Sequence, residues 1–406
     1  MHSPQFTSTF CSICFLFSAT AFAADVPELN KDTFAKWRDF IRPSEKEVEY
    51  LKVPWRTNFA AALAEGRAKD KPIFLWNFHG HPLGCSCING VHTKEVFENP
   101  QIKELSKMFI TVAEDSGRLE FDRKYPAFEL FHREYPQGSQ GFFVFTPSGK
   151  MLGRSWYKPE EVASLLQECS AKWEKIPKSE RDAMATGAAG KKEEDAVYPK
   201  DGLVLHSYMR DLPRKSGSPR KEWNQEFTWF TKIEARQFVP LKLKVGEQHE
   251  VPKAVLHRLV RFTFVDSVIG GTAPFAEGHV KSAKLNSRIV SLQKDAAHVE
   301  FDGESLAEEI GIWSIHEDDS DKGPQKRGCR FKIIGNADFS VSRQSFTSFE
   351  LVACGDRWGG TRFNWRGSDS GLAPMGVACF LASKEPWEKI KPLRLEDYWP
   401  MKKRNN

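Results

Sequence analysis

The stretch Ile73-Phe74-Leu75-Trp76-Asn77-Phe78, followed by His79-Gly80-His81-Pro82-Leu83-Gly84-Cys85-Ser86-Cys87, decides how this chain is read. Its first six residues are apolar but for one. They lie between Lys71-Pro72 and a loop with glycine and proline, the pattern of a strand buried on both faces. The loop carries two thiols and two imidazoles, and a helix is predicted to open near Asn89 or Thr93, with apolar contacts at Val96 and Phe97. A thiol at a helix N-terminus feels the positive end of the helix dipole. This favours thiolate and makes a nucleophile at neutral pH. A second thiol close by can resolve the mixed disulfide that the first one forms.

Working outward, residues 57–70 place Phe59, Ala62, Leu63 and Gly66 at helical spacing, so a helix leads into the strand. Phe109 to Ala113 predicts a second strand and Ala127 to Tyr135 a second helix. Phe142–Phe145 and Met151–Trp156 flank Thr146-Pro147-Ser148-Gly149, which predicts a hairpin. The last helix starts at Lys158-Pro159-Glu160-Glu161, proline and acids both suiting a first turn. Its apolar face is Val162, Leu165, Leu166, Cys169 and Trp173. This half is α/β.

Residues 55–175 resemble a thioredoxin-like domain of the exported bacterial kind. The likeness rests on the helix leading into Lys71-Pro72 and the buried strand, on the cysteine loop that opens a helix, and on Glu95-Val96-Phe97-Glu98-Asn99-Pro100. The strand, Thr146-Pro147-Ser148-Gly149 turn, strand and terminal helix complete it. The resemblance implies a thiol–disulfide oxidoreductase acting on protein thiols without a cofactor, with Cys85 as nucleophile and Cys87 as resolver. The chain departs from the family in two places. One residue, Ser86, separates thiols that the family ordinarily spaces by two, and a small strained ring is more oxidising. Gln140 stands nearest the place where the family normally has a cis-proline.

Two other readings of the loop compete. His79, His81, Cys85, Cys87 and His92 are soft and imidazole ligands suited to Cu(I) or Zn. Alternatively, the pair is a structural disulfide in a redox-silent scaffold, and the chain is an interaction protein whose second half holds the partner.

Residues 24–175 are thus expected to form a thioredoxin-like domain with an N-terminal extension, and residues 176–200, which lack periodicity, read as a linker. From 201 to 398 the period changes to two, at Leu241/Leu243/Val245, Val260/Phe262/Phe264, Val299/Phe301, Cys329/Phe331/Ile333, Phe349/Leu351/Ala353 and Met375/Val377/Cys379/Leu381. That predicts an all-β second domain, an antiparallel sandwich or barrel. Arg357-Trp358 through Arg362-Phe363, Trp365 and Arg366 is a candidate aromatic–arginine binding face, although at strand spacing the same pattern is more often one packed face and one solvated face. Glu317-Asp318-Asp319-Ser320-Asp321 reads as a solvated acidic turn.

The 406 residues, 40% apolar and 28% charged, suffice for two domains with real cores. A mean hydropathy of -0.49 speaks against a polytopic membrane protein, and no segment after the leader is apolar enough to span a bilayer. The net charge of +5 is small for this length and gives no argument for a nucleic-acid partner. Phe10 to Phe22 is apolar and ends in Ala21-Phe22-Ala23, a signal-peptide pattern over residues 1–23. The expected location is therefore periplasmic or extracellular. Removing the leader takes Cys11 and Cys14. Of the six cysteines left, Cys169, Cys329, Cys354 and Cys379 read as structural, which leaves Cys85 and Cys87 as the pair that decides function.

Overall fold

A computed structural model of the chain describes residues 26–78, 94–115, 119, 123, 125, 127–136, 140–156, 158–183, 198–215, 217–311, 323–361, 363–385, 388–389 and 391–399. The expected leader, the cysteine loop, most of the expected linker and the acidic turn lie outside these residues; the described part of the linker includes a short helix, α6 (Lys178–Ala183).

The first half is built on a four-stranded sheet of β1 (Ile73–Phe78), β2 (Ile110–Asp115), β3 (Gly141–Phe145) and β4 (Met151–Ser155), in the order β2-β1-β3-β4. β1 and β2 run parallel, while β3 is antiparallel to both β1 and β4. Alternation along β1 sends its side chains to two cores. Ile73 and Leu75 pack with α2 (Phe59–Lys69) and α4 (Phe128–Glu134) on one face. Phe74, Trp76 and Phe78 pack on the other with Phe97, Ile102 of α3 (Pro100–Ser106) and Leu166 of α5 (Pro159–Lys175). The result is helix, sheet, helix, and the α/β expectation for this half holds. All five residues named for the apolar face of α5 are buried. The hairpin also forms as expected: Gly149, at φ +87, supplies the left-handed position of its turn, and a Cβ there would overlap Leu130.

The second half forms one eight-stranded antiparallel sheet, ordered β6-β5-β12-β11-β10-β9-β8-β7. Its strands are β5 (Leu203–Asp211), β6 (Trp223–Phe230), β7 (Gln248–Glu250), β8 (Val280–Gln293), β9 (Ala296–Gly311), β10 (Gln325–Ser340), β11 (Ser345–Trp358) and β12 (Ala373–Leu381). The expected antiparallel, β-rich second half is present. Two period-two readings are corrected. Val260 and Phe262 belong to helix α8 (Lys253–Phe262), whose buried set Val255, Leu256, Leu259, Val260 has helical spacing. Leu241 to Val245 pairs with no strand, and Leu241 is mostly exposed. Alternation there reflects lysines standing beside aliphatics in a loop, with no sheet face to bury them.

β5 and β12 are buried almost continuously, whereas β8 alternates, because only the former are covered on both faces. Helix α8, following α7 (Lys232–Arg236), packs on one face. The other is covered by residues 26–55, including α1 (Phe34–Ile41). α1 lies close on β12 because Gly376 has no side chain: a Cβ there would come 2.5 Å from Ile41 Cδ1. Arg38 pairs with Glu350 at 3.1 Å, Arg210 with Glu47 at 2.8 Å and Lys31 with Glu300 at 2.7 Å. The same segment reaches the first half through Lys103–Glu49 at 2.6 Å and the buried Tyr50, Val53 and Trp55. One continuous core therefore joins the two sheets through residues 26–55.

Candidate functional site

Cys85, Cys87, His79, His81 and His92 all fall in residues 79–93, outside the described residues. The structure nevertheless defines where that loop leaves and returns. Phe78 stands opposite Asp115 at the end of β2, and Asn77 stands opposite Gly141 at the start of β3. The loop therefore departs from the carboxyl end of two parallel strands, where open α/β sheets carry their sites. It re-enters the described fold at a 3-10 turn, Lys94–Glu98. Gln140, the residue expected nearest the family's proline, immediately precedes β3 beside this end.

The sheet end at which β1 stops is aromatic. Trp76 and Phe78 rings are 4.6 Å apart, Trp76 and Phe97 5.3 Å, and Trp55 and Phe97 4.9 Å. All four are buried. Such a cluster holds the sheet end rigid and keeps water from it.

On the opposite face, at the same strand end, lies a buried acid that the sequence reading did not single out. Glu114 of β2 stands opposite Asn77 and is fully buried. Its carboxylate accepts from the Tyr125 hydroxyl at 2.6 Å and from the Phe59 backbone N–H at 3.0 Å. The Tyr125 oxygen accepts from the same N–H at 2.9 Å. Phe59 opens α2, so the Glu114 side chain sits at the positive end of that helix and satisfies one of its otherwise unpaired donors. The only signal for it in the sequence was an acid ending an apolar strand.

The four cysteines among the described residues, Cys169, Cys329, Cys354 and Cys379, are free thiols, all buried. Burial pushes the Cys169 thiol up to about 11, and Cys354 and Cys379 up to about 12. Burial also raises Cys329, with Asp266 nearby adding to the effect. None is a thiolate at neutral pH, so none is a nucleophile or a soft ligand in this state. The structural role assigned to them holds. Among the described residues there is no group of three or more His, Cys, Asp or Glu side chains arranged for a metal.

In the aromatic–arginine segment of the second half Arg362 lies outside the described residues, and the other two arginines turn inward. Arg357 and Arg366 are fully buried. The Arg366 guanidinium donates to Asp211 at 2.7 and 2.9 Å and to Asp266 at 2.8 and 2.9 Å. Arg357 pairs with Asp369, which Arg214 also reaches at 2.8 Å. Arg214, Arg357 and Arg366 thus face Asp211, Asp266 and Asp369. The network pins the connection between β11 and β12, so Arg357 and Arg366 are not part of a binding face.

No protein-family model matches the chain, and a search of curated proteins finds no significant relative.

Proposed function

We propose that the chain is an exported thioredoxin-like thiol–disulfide oxidoreductase, working through Cys85 and Cys87 on protein thiols outside the cytoplasm. The observation that carries this reading is the small sheet itself. An order of β2-β1-β3-β4, with β3 antiparallel to its neighbours and helices on both faces, is the arrangement a thioredoxin-like domain requires. The cysteine loop follows β1, as the active loop of that fold does. The buried state of the other four thiols supports the assignment by leaving the loop pair as the reactive one.

In the reducing direction the Cys85 thiolate attacks one sulfur of a substrate disulfide. A mixed disulfide forms and one substrate thiolate leaves, taking a proton. The Cys87 thiolate then attacks Cys85 Sγ, the mixed disulfide breaks, and the second substrate thiolate leaves. Two electrons pass from the protein dithiol to the substrate, and the Cys85–Cys87 disulfide remains. The reverse sequence oxidises a substrate dithiol.

The test equilibrates the chain from residue 24 onward in dithiothreitol redox buffers, followed by alkylation and mass spectrometry under native conditions. One two-thiol transition is expected, mapping to Cys85 and Cys87 and absent in Cys85→Ser. A loop pair that stays oxidised across the whole range would favour the alternative, a redox-silent scaffold joined to a binding module.

A further inference from the structure

The Leu241-Lys242-Leu243-Lys244-Val245 segment, which is not a strand, lies at one end of the large sheet, and that end has an unusual surface. Leu241 is 85% exposed, Ile233 78% and Val245 55%. Lys232, Lys242 and Lys244 are interleaved with them and exposed, as are Lys294 and Arg343 in the adjoining turns. None of these five cations forms an ion pair among the described residues.

Hydrogen bonds hold the pieces together. Arg236 of α7 donates to the Leu241 carbonyl at 2.9 Å and to Gln344 Oε1 at 3.2 Å. The Gly246 N–H bonds the Ile289 carbonyl at 2.8 Å, and the Val341 N–H bonds the Asp295 carbonyl at 2.8 Å. The loop tip is therefore preformed, and its aliphatics project although nothing in the fold needs them exposed. The acids at this end are fewer than the cations. Glu234 is held by Arg258, which leaves Asp295, bonded by Ser340 and Ser342 and facing Arg343, and Glu247 against the five cations.

We propose that this end docks on an anionic lipid bilayer surface. Charge complementarity calls for a negative partner, and the residue types choose among negative partners. Protein interfaces are depleted in lysine. Single-stranded nucleic acid is held by aromatic stacking, and the exposed apolar residues here are aliphatic. Lysines with aliphatics beside them suit a bilayer. The stems lie along the apolar boundary, the ammonium groups remain among the phosphates, and Ile233, Leu241 and Val245 enter the acyl edge.

The experiment is co-sedimentation of the chain from residue 24 onward with phosphatidylcholine vesicles, with and without phosphatidylglycerol, at low and high salt. That form retains every described residue and lacks the apolar 10–22 stretch. Partition onto the anionic vesicles is expected, weakened by salt and much lower on phosphatidylcholine alone. Replacing Lys232, Lys242 and Lys244 by Ala weakens it about 100-fold, at about 5-fold for each lysine. Leu241→Ser with Val245→Ser also weakens it, and because these side chains are exposed the melting temperature is unchanged. No partition onto phosphatidylglycerol vesicles, or partition that these variants leave intact, overturns the proposal, as does salt-sensitive capture by an acidic polypeptide with no vesicle binding.

Discussion

Arg366→Met removes the cation at the centre of the buried network and leaves Asp211 and Asp266 in place around it. The guanidinium makes two hydrogen bonds to each carboxylate, and all three side chains are buried. Breaking such a pair by deleting one partner costs about 3–5 kcal/mol, chiefly because the other charge stays buried and uncompensated. For a unit of this size that lowers the melting temperature by about 6–20 °C. The loss must also depend on pH, and its sign is fixed. Burial would push the Asp266 carboxyl up, and Arg366 outweighs this and holds it below its ordinary range. In the parent protein its contribution is fully present above about pH 4 and is lost only as pH falls further. In the variant burial is opposed only by Arg357 and the Val268 N–H, so the carboxyl rises relative to the parent. The native variant then binds more protons than the native parent between the two pKa values, and its deficit grows as pH rises, by up to about 1.4 kcal/mol per pH unit for one such group. Urea denaturation at pH 5 and pH 7 reads this directly: the deficit of Arg366→Met is larger at pH 7. Arg366→Lys keeps the charge but cannot fork to both carboxylates, and falls between the two. A methionine variant as stable as the parent, or one with the same deficit at both pH values, refutes the reasoning.

Glu226 of β6 makes a prediction of related origin. It lines a cavity of about 30 Å³ between β6, the Ser267–Pro274 connection and the C-terminal Pro392–Tyr398 segment. Burial pushes its carboxyl up to about 7, against hydrogen bonds from the Phe227 and Leu393 N–H groups. Raised above its unfolded value, it costs stability progressively as pH climbs from about 4.5 to 7. Glu226→Gln should flatten that part of the stability profile, and an unchanged slope in urea titrations would count against the assignment. Gly355→Ala probes the contact of β10 with β11: a Cβ there would lie 1.7 Å from the Arg330 carbonyl oxygen, so the two backbones must part. The loss should reach at least the upper end of the ~1–3 kcal/mol typical of overpacking, measured by denaturant midpoint, and a neutral substitution would show that the strands yield freely.

Much of the first half was legible because its signals are local. Ile73–Phe78 could only be a strand buried on both faces, and the breakers around it set its ends. Val162, Leu165, Leu166, Cys169 and Trp173 announced one helix face, and each is buried there. The thiols divided in the same way: residues on apolar phases became buried and chemically silent, which isolated the loop pair. The misreadings have one cause. Val260, Phe262 and Phe264 fit two periods over so short a span, and Leu241 to Val245 alternates without any face to bury. Period reports which residues differ from their neighbours; only packing decides whether that difference faces a core.

Composition, periodicity and breakers determined by themselves that an α/β half precedes a β-rich half, and they marked out which cysteines are hydrophobes. Tertiary structure alone decided how the halves meet. Residues 26–55 cover the large sheet, and Tyr50 at the junction accepts a 3.0 Å hydrogen bond from Gln225, 175 positions away. It also decided that Arg366 faces Asp211 and Asp266, which lie 155 and 100 positions away. Such partners share no local pattern. Each charge or hydroxyl reads as solvated until the fold removes its water, and then the nearest opposite group, wherever it lies in the chain, determines what the residue does.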